Sequence, residues 1–479
     1  MRTPPPPSPA LAVNALSLGI DAFQAVTAAV HSGLANQRAS FECVLEGDAA
    51  FHVLAGVEPL LDGLERFRLK ADELAYLEGV GAIDATVMGR LMDARFTCDV
   101  DAAPEGSIVF SGEPVLIVEG PFWQAQLVEA WVRSSIDAAT QVATHFARCA
   151  LVAEEAEVIE IGTTLVNRLG GNPLLARAAY IGGAGASTNA LAGRRYGVPV
   201  RARQPASYIL ASKSETAALE GWLKATTDQP VLRVDVREAI AGIDRAVAAA
   251  RSRATASWSD APIVIELSAD VVVEAAPIAA ERFAKAGLKE PVLVVRGADA
   301  PGRIAELRAS NVPIAAYVVE CPAIHPMGAR YDVVAVEEGG QWAPRMRLAP
   351  TASCSTVPGR KVVMRYFDAD GHPVGDVCHG SSERHLPAKD ARLFDVRTGY
   401  TTRLVDAATN APLLAKMLRA GKRMNAIEPA RESRERAIRG VRALSPRQRR
   451  VMAPAVYPCG ITLGLSAMRD ELAEKLRER

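Results

Sequence analysis

Short β-branched segments alternate with helical patterns between residues 158 and 337, and this alternation constrains the fold more than any other feature. The runs are VIEIGT (158–163), YGVPVRA (196–202), PVLRVD (230–235), PIVIELS (262–268), PVLVVRG (291–297), PIAAYVV (313–319) and YDVVAVE (331–337). Short strands that alternate with helices pair in parallel and are covered on both faces, or they close into a barrel. Seven runs are one fewer than a regular eightfold barrel needs. The pattern therefore predicts an α/β protein with a barrel-like parallel sheet.

Polar residues follow several of the predicted strands. They are Gly162, Thr163, the segment 201–207, Asp235, the segment 268–270 and the segment 297–299. Because the carboxyl ends of parallel strands meet at one edge, these residues are predicted to form a single ligand-binding mouth. Two interpretations of Asp235 remain open: it binds a ribose hydroxyl or a metal ion, or it caps the next helix. The same alternatives apply to Ser268 and Asp270.

Recognisable catalytic and phosphate-binding motifs are few. GGAGAST at 182–188 is a small-residue loop whose amides could approach a phosphate or a flat ring, or which allows close helix–strand packing. The sequence has no G-x-S-x-G, Walker or G-x-G-x-x-G motif, and the seven histidines show no H-x-x-x-H spacing. The residues alone therefore indicate no metal site and no specific reaction.

Composition excludes several classes of protein. Lysine plus arginine equals aspartate plus glutamate at 55 each, so no overall field favours nucleic acid or an anionic membrane. The seven cysteines are scattered and never form C-x-x-C, which is typical of reduced thiols in a cytoplasmic protein. No apolar run reaches the roughly 18 residues of a membrane span.

The flanking sequence predicts the domain organisation. Residues 1–12 are proline-rich and predicted to be a disordered tail. Residues 13–135 mix helical patterns with strands that alternate in polarity, which predicts an α+β domain. The barrel domain is assigned to 136–350. A C-terminal extension at 351–479 contains a predicted hairpin at 360–378 and an arginine-rich amphipathic helix at 430–450.

Several stretches in chain order resemble the nicotinate phosphoribosyltransferases. They are DAFQAVTAAVHSGLANQRASFE (21–42), EGSIVFSGEPVLIVEGPFWQAQLVEAWV (105–132), AAYIGGAGASTNALAGRRYGVPV (178–200) and VPGRK (357–361). The resemblance runs nearly end to end. It implies an irregular seven-stranded β/α barrel of the type II phosphoribosyltransferase kind, with an N-terminal α+β domain and a C-terminal extension.

The resemblance also implies a reaction. Members of the family join nicotinate, a flat ring, to phosphoribosyl pyrophosphate in NAD salvage. They release pyrophosphate with Mg²⁺ present, and usually couple ATP hydrolysis through a phosphohistidine. Arginines and magnesium offset the charge that develops on the leaving pyrophosphate.

Ligand-binding positions carried over from the family are partly retained. Those that match are Asp21, Phe23, Arg148, Ser187, Thr188, Asn189, Ser207, Asp235, Ser268 and Asp270. Phe23 stands for a tyrosine whose ring comes from a neighbouring subunit and stacks on the pyridine, so the resemblance implies a homodimer.

Other family positions are replaced. Ala206 occupies the phosphohistidine position, and Thr164 and Leu165 stand where the family has two arginines. Ile265 replaces the arginine that holds the nicotinate carboxylate, and Leu267 replaces an acidic residue.

Two functions follow from this mixture. One is a nicotinate phosphoribosyltransferase of NAD salvage with altered or weakened activity. The other is a catalytically inactive relative that acts as a binding, regulatory or scaffold protein. Arg203 and Arg296 are new charges near the predicted mouth, and they either compensate for the missing arginines or are ordinary surface residues.

Overall fold

The computed structural model describes residues 15–47, 49–162, 172–225, 230–251, 261–323, 328–350, 355–384 and 386–478. The predicted tail at 1–12 lies outside these residues. The chain divides into two compact units. His145–Ala323 form the core of one, here called the central unit, and the other, the flanking unit, joins Pro9–Thr144 to Ile324–Arg479.

The flanking unit begins with helices packed on short strands. Its first helices are α1 (Ile20–His31), α2 (Val57–Glu65), α3 (Ala71–Gly79), α4 (Ala85–Leu91) and α5 (Phe122–Leu127), and α6 (Glu129–Ala153) continues into the central unit. Its first strands are β1 (Arg38–Val44), β2 (His52–Val53), β3 (Asp99–Ala102), β4 (Ile108–Val109) and β5 (Pro114–Pro121). The strands β1, β3 and β5 pair antiparallel. The alternation of polarity predicts this for β3 and β5, whereas β1 is buried almost throughout.

The central unit has the α/β architecture predicted from the sequence. Its strands are β6 (Glu157–Ile161), β7 (Ala186–Ser187), β8 (Val231–Arg233), β9 (Val264–Ser268), β10 (Val292–Arg296) and β11 (Ile314–Glu320). Its helices are α7 (Pro173–Gly182), α8 (Ala190–Tyr196), α9 (Ala206–Ala211), α10 (Glu215–Ala225), α11 (Ala239–Arg251), α12 (Val272–Lys285) and α13 (Pro301–Ala309). In the described residues the six strands form one parallel sheet in the order β7-β6-β11-β10-β9-β8.

The seven-stranded barrel is not confirmed, because two predicted strands do not join this sheet as regular strands. In the run 196–202, only Val200 forms a parallel bridge, to Ser187. Gly197 in this run has a left-handed φ of 69°, and Pro199 lacks the N–H that a ladder needs. The run 331–337 is a strand, but it belongs to the flanking unit and pairs antiparallel with β1.

The flanking unit is completed by the C-terminal part of the chain. Its strands there are β12 (Arg330–Glu338), β13 (Gln341–Pro344), β14 (Lys361–Phe367), β15 (Pro373–Gly380), β16 (Arg392–Phe394), β17 (Thr401–Arg403), β18 (Thr409–Pro412), β19 (Ala415–Arg419), β20 (Lys422–Arg423) and β21 (Cys459–Ile461), with helices α14 (Ala430–Ala443) and α15 (Leu463–Arg477). Two sheets result in the described residues, β13-β12-β1-β5-β3-β19-β20 and β17-β16-β21-β15-β14-β18. The predicted hairpin is β14–β15, and the arginine-rich helix is α14. None of the described helices is long and apolar enough to cross a membrane.

Gly242 fixes the approach of α11 to the end of β8. A Cβ built on Gly242 would overlap the backbone carbonyl of Val234, so only glycine permits this distance. We expect Gly242→Ala to lower the free energy of unfolding by about 1–3 kcal/mol, because overpacking against backbone outweighs the gain in helix propensity.

The matched control is Gly302→Ala in α13, where a Cβ meets nothing within 4 Å. This variant should be as stable as the wild type or slightly more stable. Urea unfolding followed by circular dichroism measures both variants. Equal stability of the two would contradict the packing argument.

Candidate functional site

The inner face of the parallel sheet carries an apolar layer and, above it, a charged layer. Ile159, Val264, Val294, Ala316 and Val318 form one buried cluster, and Val231 packs against it. Side chains two residues further along a strand lie on the same face. On β8, β9 and β10 those next positions are Arg233, Glu266 and Arg296. The sheet therefore directs charged side chains to its carboxyl-terminal edge, the mouth, as its architecture predicts.

Three arginines and two carboxylates meet at this mouth. They are Arg203, Arg233, Arg296, Asp235 and Glu266, and are called the mouth cluster below. Arg203 binds Glu266 through two hydrogen bonds, with Nε donating to Oε2 (2.8 Å) and Nη2 to Oε1 (2.6 Å). Nη2 of Arg296 donates to Oδ2 of Asp235 (2.9 Å). The side chains of Glu266 and Asp235 are only 2% and 5% exposed, so these are buried pairs.

Arg233 lies between the other charges of the cluster. Its Nε is 3.7 Å from Oδ1 of Asp235, which is too far for a hydrogen bond. Burial lowers the pKa of Arg233, and the charges of Arg296 and Arg203 lower it further, against the opposite effect of Glu266 and Asp235. The Nε atoms of Arg233 and Arg296 are buried and donate to no acceptor among the described residues. Buried donors without partners are uncommon and fit a site for an anion.

Arg203 is held in place by its neighbour Gln204. Oε1 of Gln204 accepts a hydrogen bond from the backbone N–H of Arg233 (3.2 Å), and its Nε2 donates to the carbonyl of Ala218 (3.3 Å). Gln204 is 3% exposed. The irregular segment between α8 and α9 is therefore attached to β8 by the Gln204 side chain. Arg203 is part of the mouth cluster and not an isolated surface arginine.

Asp235 is part of the mouth and does not cap α11. Its Oδ2 accepts from the backbone N–H of Ser268 (2.6 Å) as well as from Arg296. The first amides of α11 are instead capped by Glu238, whose carboxylate accepts from Ile240 (2.9 Å) and Ala241 (2.6 Å). The helix-cap interpretation of Asp235 is therefore wrong, and its side chain ties the ends of β8, β9 and β10 together.

Ser268 and Asp270 lie at the same edge but differ in exposure. The Oγ of Ser268 accepts from the backbone N–H of Asp270 at 3.4 Å, a long bond. The Asp270 side chain is 85% exposed, and Arg303 reaches it at 3.3 Å. Asp270 is therefore accessible to a ligand, whereas Asp235 is shielded by arginines.

The loop residues 187–189 are used for local structure. The hydroxyl of Ser187 donates to the buried carboxylate of Glu160. The Glu160 side chain lies on the face of β6 opposite to Ile159. Oδ1 of Asn189 accepts from the backbone N–H of Ala192 (3.0 Å) and so caps α8. Thr188 is half-buried, and its N–H donates to the Glu160 carbonyl (3.2 Å). Helix–strand packing therefore accounts for Ser187 and Asn189, and a ligand role for the three residues stays a prediction.

The positions around the replaced histidine lie on the short helix α9. Ala206 is its first residue and is half-buried, while Ser207 is exposed. Arg148 lies half-buried on α6 near His145. Burial lowers the pKa of His145, whereas interaction with Asp299 opposes that shift. Their roles in binding stay predictions.

Two predicted site residues belong to the flanking unit. Asp21 is exposed in the first turn of α1. Phe23 is 0% exposed and belongs to the large hydrophobic core of that unit. A ring with no accessible surface cannot stack on a ligand in this conformation, so the structure does not support the stacking role that the resemblance implies for it.

The alternation along β9 places two of the replaced positions away from the mouth. The resemblance aligns Ile265 and Leu267 with a ligand-binding arginine and an acidic residue. Both are 0% exposed and lie on the outer face, away from Val264. The residues of β9 that face inward are Glu266 and Ser268. Thr164 and Leu165, the other replaced positions, lie outside the described residues.

Sequence reasoning missed Arg233 and Glu266. Each follows an inward-facing valine by two residues, at VLR (231–233) and VIE (264–266), as Arg296 follows Val294. The available signal was that each of three buried strands ends in a charged residue, and that all three charged residues lie on the same face as the preceding valine. A charged residue at the end of a strand is usually exposed to solvent, so the sequence alone gave no reason to assign Arg233 and Glu266 to the site.

The described mouth residues do not form a set of Mg²⁺ ligands. Asp235 is surrounded by guanidinium groups, which repel a cation, and Asp270 alone supplies one exposed carboxylate. In the part of the chain that the structure describes, potential metal ligands cluster only at Asp368, Asp370 and His372, in the β14–β15 turn. No chemical step is therefore assigned to a protein-bound metal.

Comparison with known proteins gives a consistent result. The family model described as the nicotinate phosphoribosyltransferase N-terminal domain matches residues 22–136, and the C-terminal domain model of the same enzyme matches 360–469. The chain is 28% identical to human nicotinate phosphoribosyltransferase, over 94% of this chain and 96% of that protein. It is 27% identical to the Bacillus subtilis enzyme, with 80% and 79% covered.

Solved structures agree in fold. The human nicotinic acid phosphoribosyltransferase superimposes with a TM-score of 0.75 and 24% identity, over 95% of this chain and 99% of that one. The nicotinate-nucleotide pyrophosphorylase from Pyrococcus furiosus gives 0.64 and 18%, over 88% and 93%. Family models match both ends of the chain, and the sequence relatives extend between them. The chain therefore belongs to the nicotinate phosphoribosyltransferase family.

Proposed function

We propose that this protein transfers the phosphoribosyl group of phosphoribosyl pyrophosphate to nicotinate, giving nicotinate mononucleotide and pyrophosphate in NAD salvage. The observation that carries the proposal is similarity along the whole chain: the two family models match both ends, and the human relative is covered over 96% of its length. The predicted homodimer and the cytoplasmic location stay predictions.

The mouth cluster supplies the charge that such a reaction needs. As the bond between ribose and pyrophosphate breaks, negative charge grows on the leaving group. Arg203, Arg233 and Arg296 bring three guanidinium groups to the mouth, where Asp235 and Glu266 supply two carboxylates. Hydrogen bonds to Asp235 and Glu266 already orient the guanidinium groups of Arg203 and Arg296.

Position 206 separates this chain from an ATP-coupled enzyme. The Ala206 side chain is a methyl group, which has no nitrogen or oxygen to accept a phosphoryl group from ATP. We therefore propose that transfer, where it occurs, is not driven by ATP hydrolysis. We expect added ATP to change kcat/KM for nicotinate by less than about twofold, since a phosphohistidine cannot form at this position.

The experiment measures nicotinate mononucleotide and pyrophosphate from the purified full chain, given nicotinate, phosphoribosyl pyrophosphate and Mg²⁺, with and without ATP. Stoichiometric formation of both products supports the proposed transfer. ADP release in step with product would contradict the uncoupled mechanism. No turnover, together with no thermal shift by either substrate, would favour the alternative of an inactive binding or regulatory relative.

A further inference from the structure

The mouth cluster has more positive groups than negative ones. Arg203, Arg233 and Arg296 face only the carboxylates of Asp235 and Glu266 within the cluster. Two of the guanidinium Nε atoms are buried and donate to no acceptor among the described residues. The cluster therefore has a surplus positive charge and buried donors that could serve a bound anion.

Glu266 lies where such an anion would be bound. Both of its carboxylate oxygens accept hydrogen bonds from Arg203, and Oε1 is 3.6 Å from the Nε of Arg296. On β9 it lies directly above the apolar layer at Val264 and faces inward. One carboxylate thus bridges two guanidinium groups, which is also how a phosphate group is held between arginines.

We propose that Glu266 is the internal counter-ion of an oxyanion site formed by Arg203, Arg233 and Arg296, and that a phosphate or pyrophosphate group of the ligand competes with it for these donors. Glu266 then determines the affinity of the mouth. This inference rests on the proposed function for the identity of the ligand, but its test does not require turnover.

Asp235 differs from Glu266 in its contacts and is not the displaced group. Its Oδ2 is fixed by the backbone N–H of Ser268 (2.6 Å) in addition to Arg296. The Glu266 carboxylate is held by guanidinium groups of side chains, and a side chain can turn aside more readily than a strand backbone. An incoming phosphate oxygen can therefore replace the Glu266 oxygens while Asp235 keeps the strand ends together.

The test is the binding of inorganic pyrophosphate to the full chain, measured by isothermal titration calorimetry at low and high salt. Glu266→Gln keeps the shape and one acceptor oxygen but removes the competing charge, so we expect pyrophosphate to bind about tenfold more tightly. Arg233→Gln removes a donor and should weaken binding at least tenfold. Both differences should shrink at high salt, because the interaction is ionic.

Two control variants test whether the effect comes from the charge at position 266. One keeps that charge and changes the side-chain length, and the other changes the net charge of the protein at a distant position. Glu266→Asp keeps the charge, so its affinity should stay within about threefold of the wild type. Glu154→Gln removes one carboxylate from an exposed pair with Arg308, and it should leave the affinity unchanged. Circular dichroism and thermal unfolding check that each variant is folded.

Several outcomes would overturn the inference. They are wild-type or weaker pyrophosphate affinity in folded Glu266→Gln, equal tightening in Glu266→Asp, or no effect of Arg233→Gln. If Glu266→Gln does not fold, Glu266→Ala takes its place, and wild-type or weaker pyrophosphate affinity in that folded variant overturns the inference in the same way. If Glu266→Gln binds pyrophosphate more tightly but the wild type does not turn over nicotinate, only the proposed function is contradicted. If the wild type turns over nicotinate but Glu266→Gln leaves the pyrophosphate affinity unchanged, only this inference is contradicted.

Discussion

Replacing Arg365 by alanine is expected to lower the free energy of unfolding by about 3–5 kcal/mol. Arg365 donates to the buried carboxylate of Asp376 from Nε (2.8 Å) and Nη2 (2.6 Å). Asp376 is 0% exposed, and it also accepts from the hydroxyl of Tyr457 (3.1 Å) and forms a side-chain hydrogen bond with Glu113. Removing the guanidinium takes the cationic partner away from a buried negative charge, which is why the expected effect is large.

A second buried carboxyl strengthens this argument. Glu113 is 0% exposed and 3.8 Å from Arg365. Burial and the neighbouring Asp376 hold the pKa of Glu113 well above its usual range. Glu113 is therefore protonated more readily than a free glutamate, and the short hydrogen bonds of Arg365 go to Asp376.

Urea unfolding of Arg365→Ala should be compared with Arg431→Ala, which breaks an exposed pair with Glu435 (2.9 Å) and should cost less than about 1 kcal/mol. The double variant Arg365→Ala with Asp376→Asn should recover part of the lost stability, because it removes the uncompensated charge. A loss below about 1 kcal/mol in Arg365→Ala alone would show that this pair does not stabilise the flanking unit.

Replacing Arg296 by alanine is expected to reduce kcat/KM for phosphoribosyl transfer by about 100- to 1000-fold, the usual cost of losing a donor that stabilises developing negative charge. Arg296 is the residue of the mouth cluster that contacts both carboxylates, at 2.9 Å from Asp235 and 3.6 Å from Glu266. Its loss removes one of the two buried Nε donors and leaves Asp235 with weaker compensation.

Initial rates with saturating and limiting phosphoribosyl pyrophosphate measure the effect and separate kcat from KM. Arg296→Lys keeps the charge but not the planar group, so it should recover only part of the activity. Arg282→Ala, which breaks an exposed pair with Asp244 (3.4 Å), is the control and should behave as the wild type. Activity within threefold of the wild type in a folded Arg296→Ala variant would exclude Arg296 from the reaction.

The strands of the central unit were predictable because local pattern and tertiary role agree. Runs such as VIELS and VLVVR are β-branched, short and bounded by helical segments, and they form β9 and β10 within two residues of the predicted ends. The pairing partner of YDVVAVE was not predictable in this way. A buried strand has the same composition in a parallel and in an antiparallel sheet, and β12 pairs with β1 through contacts almost 300 residues apart in the chain.

The candidate site shows the same division. Asp235, Ser268 and Arg203 were selected from their positions after predicted strands, and the structure brings Asp235 and Arg203 into the mouth cluster and Ser268 against Asp235. The resemblance implies that the Phe23 ring stacks on the pyridine in a neighbouring subunit, but Phe23 is buried because α1 turns that side of the helix toward the core. Exposure depends on which face of an element packs inward, and a residue type does not specify that face.

The sequence by itself determined the family, the α/β class and most strand positions of the central unit, and it placed Ala206 where the resemblance implies a histidine. These depend on residue identity and on patterns of a few residues. Only the tertiary structure decided that Glu266 and not Ile265 faces the mouth, that Arg203 reaches Glu266 across 63 residues, and that three arginines share two carboxylates. Those facts depend on which face of each strand points inward and on which distant segments pair. Side-chain packing and backbone hydrogen bonds determine both only when the chain has folded.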